Sequence, residues 1–317
     1  MDRIAILTRD CAGVNAAIRA AVRTATSAGL DVLGVLRGYD GLVDADLVPL
    51  DRRSVSSIIN LGGTILKSSR SGRFFTEEGQ ARAARALRDR AVDGLVVIGG
   101  NGSLTGAHVL ATRYGVQVVG VPATIDNDVN GVDLTIGADT SVNVALDALD
   151  KIRDTATSLE RIFIVEVMGR RCGYIAMQVA LAGGCEEVLL PERDFDLAAM
   201  CREITEGRSR GKASWIVIVA EGRARAEDVG AAVTRETGLE TRIAVLGHIQ
   251  RGGRPTALDR ILAARLGHAA VEALAGGASD ICVSFRHGAL EHVPLETAIR
   301  PKTCEVGDDY HLLKVLA

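Results

Sequence analysis

The sequence predicts an α/β fold of two lobes, each with helices packed against a mostly parallel sheet. Three observations predict it. At 317 residues the chain is long for a single core. Hydrophobic residues make up 47% of it but aromatics only 3%, so Ala, Val, Leu and Ile must build the interior, as in sheets buried under helices on both faces. Strand-like apolar runs also alternate with amphipathic helical patterns from end to end.

Taken in order, residues 3–7 read as a first strand, 14–28 as a helix with Gly13 or Asn15 at its start, and 31–36 as a second strand. Residues 54–61 read as a short helix and 77–90 as a longer one, its Ala and Leu recurring at helical spacing. The run 94–98 is a buried strand, followed by Gly99-Gly100-Asn101-Gly102-Ser103 and a helix to about 113. A strand, glycine turn and helix in that order bring backbone close to a phosphate. Residues 117–121 form the next strand and 139–156 a helix with few breakers. Strands at 162–167, 187–190, 214–220 and 242–246 then alternate with helices at 174–181, 196–208, 226–237 and 256–275. The lobe boundary is placed near 139: one lobe comprises 1–138, joined by a returning segment at about 252–304, and the other comprises 139–251.

A net charge of −3 and a pI near 6.1 give no electrostatic footprint for nucleic acid or an acidic membrane surface. The six cysteines, at 11, 172, 185, 201, 282 and 304, have no CxxC pair or metal-ligand spacing and are expected as buried free thiols. His268, His287, His292 and His311 likewise lack metal spacing. No apolar run reaches membrane-spanning length, and residues 1–8 are strand-like. A soluble, cytoplasmic protein is expected.

The chemistry is expected in Val121-Pro122-Ala123-Thr124-Ile125-Asp126-Asn127-Asp128, the loop leaving a buried strand's carboxyl end, where open α/β sheets bind ligands. Asp126 and Asp128 lie two residues apart beside the Thr124 hydroxyl, so one can take a substrate proton while the other approaches a metal. A turn whose Asp and Asn side chains cap backbone groups is the simpler reading of this loop alone. Arg161, Arg170, Arg242, His248 and Arg251 are scattered in sequence, yet four sit at or beside strand ends, and such arginines can fork around one phosphate. Glu221 closes another strand and can accept sugar hydroxyls. A second basic set comprises Arg19, Arg23, Arg52, Arg153, Arg210 and Lys212, with Arg19 and Arg23 on one helix face.

Six ordered segments carry a resemblance. Asn15-Ala16-Ala17-Ile18-Arg19, Gly62-Gly63-Thr64-Ile65-Leu66 with Ser69-Arg70, Thr124-Ile125-Asp126-Asn127-Asp128, Val165-Glu166-Val167-Met168-Gly169-Arg170, Gly183-Gly184-Cys185-Glu186 and Gly247-His248-Ile249-Gln250-Arg251-Gly252-Gly253 resemble bacterial 6-phosphofructokinases over nearly the whole chain. The resemblance implies two Rossmann-like three-layer α/β/α domains, a homotetramer and Mg²⁺. It also implies transfer of the γ-phosphoryl of ATP, leaving ADP, to the 1-hydroxyl of fructose 6-phosphate. By position it makes Asp126 the base, with Thr124 and Asp128 beside it, and gives Arg170 the transferring phosphoryl. It makes Met168, Gly169 and Glu221 sugar contacts, and His248 and Arg251 ligands of the 6-phosphate. Arg161 and Arg242 match ligands supplied by a neighbouring subunit, and Arg9, Tyr39, Arg70, Ser71, Gly100, Asn101, Gly102 and Ser103 fall in the nucleotide site. The second basic set with Glu186 resembles a site for an allosteric nucleotide or other phosphorylated effector.

The donor side departs from the family pattern. Thr8-Arg9-Asp10-Cys11-Ala12-Gly13 is about two residues shorter than the usual Ser-Gly-Gly-Asp turn and lacks both its glycines, although the charge of Arg9 can partly replace their backbone approach. Asn101 stands where a metal-associated Asp is usual, and Lys67 where Gly is usual. Pyrophosphate-dependent relatives carry Asp at the position of Gly102 and Lys at that of Ala123, so small residues there fit the nucleotide-using branch. Three readings follow: an ATP-dependent kinase with Mg²⁺ held by Asp128 and the nucleotide phosphates, Asn101 offering only a neutral oxygen in place of an anionic one, a relative that binds sugar phosphate without transferring anything, and a kinase of altered donor or sugar specificity.

Overall fold

The computed structural model describes all 317 residues. In chain order the elements are β1 (Arg3–Thr8), α1 (Val14–Ser27), β2 (Asp31–Val35), α2 (Gly38–Val43), β3 (Leu47–Leu50), α3 (Glu77–Asp89), β4 (Gly94–Gly99), α4 (Asn101–Tyr114), β5 (Val118–Pro122) and α5 (Ala138–Leu159). They continue as β6 (Ile162–Val167), α6 (Tyr174–Ala182), β7 (Glu187–Leu189), α7 (Leu197–Ser209), β8 (Trp215–Ala220), α8 (Ala226–Thr237), β9 (Thr241–Val245), α9 (Ala257–Ala275), β10 (Ile281–Arg286), β11 (Ala289–Pro294), α10 (Leu295–Ala298) and α11 (Gly307–Leu316). Two compact units divide the chain: Met1–Thr140 with Arg251–Lys302, and Ser141–Gln250 with Thr303–Ala317.

The first unit holds a seven-stranded sheet in the order β11-β10-β5-β4-β1-β2-β3. Its centre is parallel, with β1 beside β2 and β4, and β5 beside β4 and β10. Only β3 and β11, at the two edges, run antiparallel. Every residue of β4 and β5 is buried, which explains their continuous Val and Ile runs: a parallel strand covered on both faces has no polar side. Burying one such side chain contributes about 1.5–3 kcal/mol. The second unit holds a four-stranded parallel sheet ordered β7-β8-β6-β9. Its core gathers Ile162, Ile164, Leu189, Trp215, Val217 and Val219 under α7 and α8.

The expected α/β alternation of helices and mostly parallel sheets is the observed one. Helix starts are chemically marked: the Thr76 hydroxyl accepts from Gly79 N at 3.1 Å, Asp196 Oδ1 from Ala199 N at 3.0 Å and Thr256 Oγ1 from Asp259 N at 3.2 Å. At α1 the cap is Gly13, in the left-handed region at φ 90. Asn15 instead bonds outward, its Oδ1 accepting from Ile65 N and its Nδ2 donating to Leu61 O and Gly62 O.

The expected helix at 54–61 is absent; turns run through that stretch. Asp51 Oδ1 accepts from the backbone N–H of Arg53 and Ser54, and Ser57 adopts φ 60. Side-chain bonds to local backbone compete here with the helical ladder. The elements α2, β3 and α10, of four to six residues, are too brief to show as periodic runs, and α11 and the β10–β11 hairpin are further elements that the sequence reading did not include.

Candidate active site

In the first unit β4 lies directly against β1 although it follows β2 and β3 in sequence, so the strand order reverses between β1 and β4. Crevices at the carboxyl ends of such a reversal bind ligands. Thr8 ends β1 and Gly99 ends β4, and the loop Ala123–Asp128 leaves β5 beside them, with Ala123 N bonded to Gly99 O at 3.0 Å.

The turn after β1 stays close to the sheet. Arg9 N donates to Ile98 O at 2.9 Å, and the Arg9 guanidinium donates to Ser69 O. The Thr8 hydroxyl shares a hydrogen with Thr64 at 2.8 Å. Arg9 therefore ties the shortened turn to the segment carrying Arg70 and Ser71. Arg70 is exposed, while the Ser71 hydroxyl donates to Asp40 Oδ1 at 3.0 Å. Lys67 holds φ 60, a backbone that favours the glycine usual there. Gly62 is required by packing, because a Cβ on it would sit 2.5 Å from Gly253 O.

At the start of α4, a Cβ on Gly99 would meet Ser103 Oγ at 2.6 Å, and one on Gly100 would stand 3.1 Å from Thr124 Cβ. The glycine pair therefore lets the helix begin against the Thr124 loop. The Tyr39 hydroxyl donates to Ser103 O at 2.6 Å and its ring stacks on Phe74 at 4.1 Å, so Tyr39 braces this first turn from behind. Asn101 Nδ2 donates to Asp128 O at 3.0 Å, which leaves its Oδ1 buried with no hydrogen-bond partner. The Asn101 carbonyl oxygen and the Asp128 carboxylate are the donors here that suit a hard cation. Magnesium commonly takes one or two such oxygens and completes its shell with phosphates and water, so the pair fits Mg²⁺.

Asp126 is 3% exposed and its N–H donates to Thr124 Oγ1 at 3.2 Å. The turn-capping work in this loop belongs to Asn127, which adopts φ 51. Its Oδ1 accepts from Thr135 N at 2.9 Å and its Nδ2 donates to Asp133 O at 3.1 Å. The Thr135 hydroxyl closes the loop on Thr124 O at 2.7 Å. Burial, then Asp259, Asp10 and Asp126, push the Cys11 thiol well above its usual range, while Arg251 pulls the other way. These carboxylates and Arg251 therefore share one neighbourhood in the first unit. Asp259, fully buried, accepts from Gly137 N and Thr140 N at 2.8 Å each and caps α5 from α9. Burial holds its carboxyl above the usual range.

In the second unit, Met168-Gly169-Arg170 follow the carboxyl end of β6 in a tight loop: Gly169 has φ 139 and Arg170 φ 52. Glu221 Oε1 accepts from Gly169 N at 3.2 Å and Arg170 N at 2.8 Å. Buried Gln250 accepts from Met168 N at 2.9 Å. Glu221 thus shapes the loop as well as facing it. A Cβ on Gly222 would overlap Arg170 O at 1.7 Å, which explains that glycine.

Within the second unit, two of the five basic residues expected around one phosphate stand at the opposite strand ends from Arg170 and His248. Arg161 precedes β6 and Arg242 lies near the amino end of β9, whereas Arg170 and His248 follow the carboxyl ends of those strands. Six residues of strand separate the two ends of β6, roughly 20 Å. Arg161 Nε donates to Glu240 Oε2 at 3.0 Å and Arg242 pairs with the other oxygen, so Glu240 binds the two together. His248 belongs to the second unit and Arg251 to the first.

The second basic set also divides. Arg19, Arg23 and Arg52 lie in the first unit, where Arg52 donates to Ser27 Oγ at 2.8 Å. Arg153, Glu186, Arg210 and Lys212 lie in the second. There Arg153 donates to the carbonyls of Gly183 and Gly184, and Lys212 pairs with Glu186 at 3.1 Å. Glu186 also accepts from Ile216 N at 2.7 Å, so its carboxylate has a structural job.

Sequence reasoning missed Glu240, Gln250, Thr135 and Asp259. Only Glu240 carried a signal, two residues from Arg242. The others act through backbone groups distant in sequence.

Comparison with known proteins agrees with this arrangement. The family model described as "Phosphofructokinase" matches residues 3–274. ATP-dependent 6-phosphofructokinase 1 of Thermus thermophilus is 51% identical over 303 residues, covering 94% of each chain. ATP-dependent 6-phosphofructokinase of Thermotoga neapolitana is 48% identical over 304 residues, covering 95% of each. Among solved structures, phosphofructokinase from Saccharomyces cerevisiae superposes with a TM-score of 0.88 at 34% identity, covering 94% of this chain and 45% of that longer one. On its sheet order, its site loops and these likenesses, the chain belongs to the phosphofructokinase family.

Proposed function

We propose that this chain transfers the γ-phosphoryl of ATP to the 1-hydroxyl of fructose 6-phosphate, giving fructose 1,6-bisphosphate and ADP in cytoplasmic glycolysis. The observation that carries the reading is the buried Asp126, set in a loop locked by Asn127 and Thr135 beside the first turn of α4. Asp126 takes the proton of the 1-hydroxyl, the freed oxygen attacks the γ-phosphorus, and the bond to the β-phosphate oxygen breaks. Positioning and charge neutralisation supply most of the acceleration in such transfers. The amides opening α4 and the positive end of that helix receive donor phosphates, with Arg9, Arg70, Ser71 and Ser103 around them. A Cβ on Gly102 would meet nothing within 4 Å, which leaves room for a nucleotide.

Asp128 and Asn101 would hold Mg²⁺, whose charge, when bound, offsets the charge that builds on the phosphoryl oxygens. Arg170 takes the role of stabilising that same charge. Met168, Gly169 and Glu221 contact the sugar, and His248 and Arg251 its 6-phosphate. Arg161 and Arg242, at the far end of their strands, serve a neighbouring subunit's site in a homotetramer. Arg19, Arg23, Arg52, Arg153, Glu186, Arg210 and Lys212 receive a phosphorylated effector between subunits.

Near-50% identity to curated ATP-dependent enzymes favours this kinase over a relative that only binds. The test is a steady-state assay with fructose 6-phosphate, ATP and Mg²⁺, paired with calorimetric titration of each ligand. Turnover with all three is expected. Sugar-phosphate binding without turnover would replace the kinase reading with the binding one.

A further inference from the structure

Cys172, Glu192 and Cys304 play no part in the transfer just described, yet the fold brings them together. Their sulfurs and a carboxylate oxygen all lie within 4.8 Å of one another. Cys172 sits in the loop after β6, Glu192 just past β7, and Cys304 opens the segment that returns to the second unit. With 131 residues between the cysteines no spacing rule could pair them.

The site is built rather than incidental. Gly173 N donates to Glu192 Oε1 at 2.8 Å and fixes the carboxylate. Glu192 Oε2 is buried and has no hydrogen-bond partner. A Cβ at Gly173 would stand 2.5 Å from that oxygen, so glycine is needed for Glu192 to enter. A hydrogen bond with Cys304, reinforced by burial, holds the Cys172 thiol far above its ordinary range. Such a thiol resists ionisation until a cation takes both sulfurs as thiolates.

We propose that Cys172, Glu192 and Cys304 form a Zn²⁺ site with three protein ligands and a fourth position open to water. Two thiolates select a soft or borderline cation over Mg²⁺ or Ca²⁺. A Cys172–Cys304 disulfide would use the sulfurs but leave the buried Glu192 oxygen without a purpose. The bound ion clips the carboxyl-terminal segment to the loop carrying Met168, Gly169 and Arg170, since Cys172 N already bonds Gly169 O at 2.9 Å. The segment is otherwise held by Tyr310 donating to Glu187 at 2.9 Å and by Arg193 lying 3.9 Å over the Tyr310 ring.

The test uses the reduced, full-length protein and Co²⁺ as a coloured stand-in for Zn²⁺. One equivalent is expected to give sulfur-to-cobalt charge transfer and the intense visible bands of tetrahedral cobalt, both abolished by added Zn²⁺. Cys304→Ser, half-buried near the terminus, should weaken binding at least tenfold and remove part of the charge transfer. Glu192→Gln keeps both thiols and should weaken binding while retaining the charge transfer, with far-UV circular dichroism confirming the fold of each variant. Absence of thiolate bands in the reduced protein overturns the proposal, whether or not the oxidised protein forms a disulfide. So do bands unchanged by Cys304→Ser.

Discussion

In the first unit β1, β4 and β5 run side by side and deliver Thr8–Cys11, Gly99–Ser103 and Thr124–Asp128 at one end of the sheet. In the second, residues of the same chemical kind leave β6 and β9 at both ends: Arg170 and His248 at one, Arg161 and Arg242 at the other. The first unit thus brings its strand-end loops together by itself, whereas the second sends its strand-end cations to opposite edges of its sheet. The difference teaches that a set of strand-end residues forms a site only when the ends are the same ends.

The largest expected effect tests the first half of that contrast. Asp126→Asn should lower kcat by about 10²–10⁴-fold, the usual worth of a positioned base, with the KM for fructose 6-phosphate nearly unchanged. A kcat within a factor of a few of wild type would remove Asp126 as the base. Arg161→Ala tests the second half, and a rise of about 10–100-fold in that KM is expected from losing a charge-assisted phosphate contact. Mixing the two variants after subunit exchange should restore activity at low fructose 6-phosphate, where neither parent turns over appreciably, because hybrid sites pair an intact base with an intact arginine from another chain. If Arg161 served its own chain, no complementation would occur.

A smaller effect bears on how complete the donor side is. Asn101→Asp gives a cation a second carboxylate where a buried oxygen now lacks a partner, and should raise kcat several-fold at limiting Mg²⁺. An unchanged rate would show that the neutral ligand is not the limiting defect.

The smallest effect compares the acid stability of the two units. Asp44, Asp51 and Asp93, whose carboxyl groups are held below their usual range, all belong to the first unit. For Asp93 the cause is backbone N–H donation by Arg3 and then Asp2. A depressed carboxyl contributes stability above its unfolded pKa and loses it as pH falls through the folded one. Asp93→Asn should therefore lower the melting temperature at pH 7, by an amount that shrinks as pH falls through the folded-state pKa of the wild-type carboxyl. Hydrogen exchange under mild acid should loosen the first unit before the second, and the reverse order would sink this contrast.

Much was legible in the residues themselves. The Val and Ile runs at 94–98 and 117–121 announce strands covered on both faces, because burial and strand geometry act on adjacent residues. The Gly99-Gly100 turn and the Asp126 loop were visible for the same reason: their constraint is local. The stretch 54–61 misled because Asp51 and the serines bond nearby backbone, an effect that hydrophobic spacing does not record. For the arginines the residues alone were silent on placement, since a strand end in sequence does not say to which edge of the sheet a side chain is delivered.

By itself, then, the sequence determined the layered α/β architecture, the family and the position of the Thr124–Asp128 loop at a strand's carboxyl end, all of which depend on residues that are neighbours along the chain. Only the tertiary structure decided that Arg161 and Arg242 share Glu240 away from Arg170, that Asp259 caps α5 from another helix and that Cys172 meets Cys304. Those pairings depend on strand order and on where the carboxyl-terminal segment returns, and both are set by packing between elements rather than by the chemistry of any one of them.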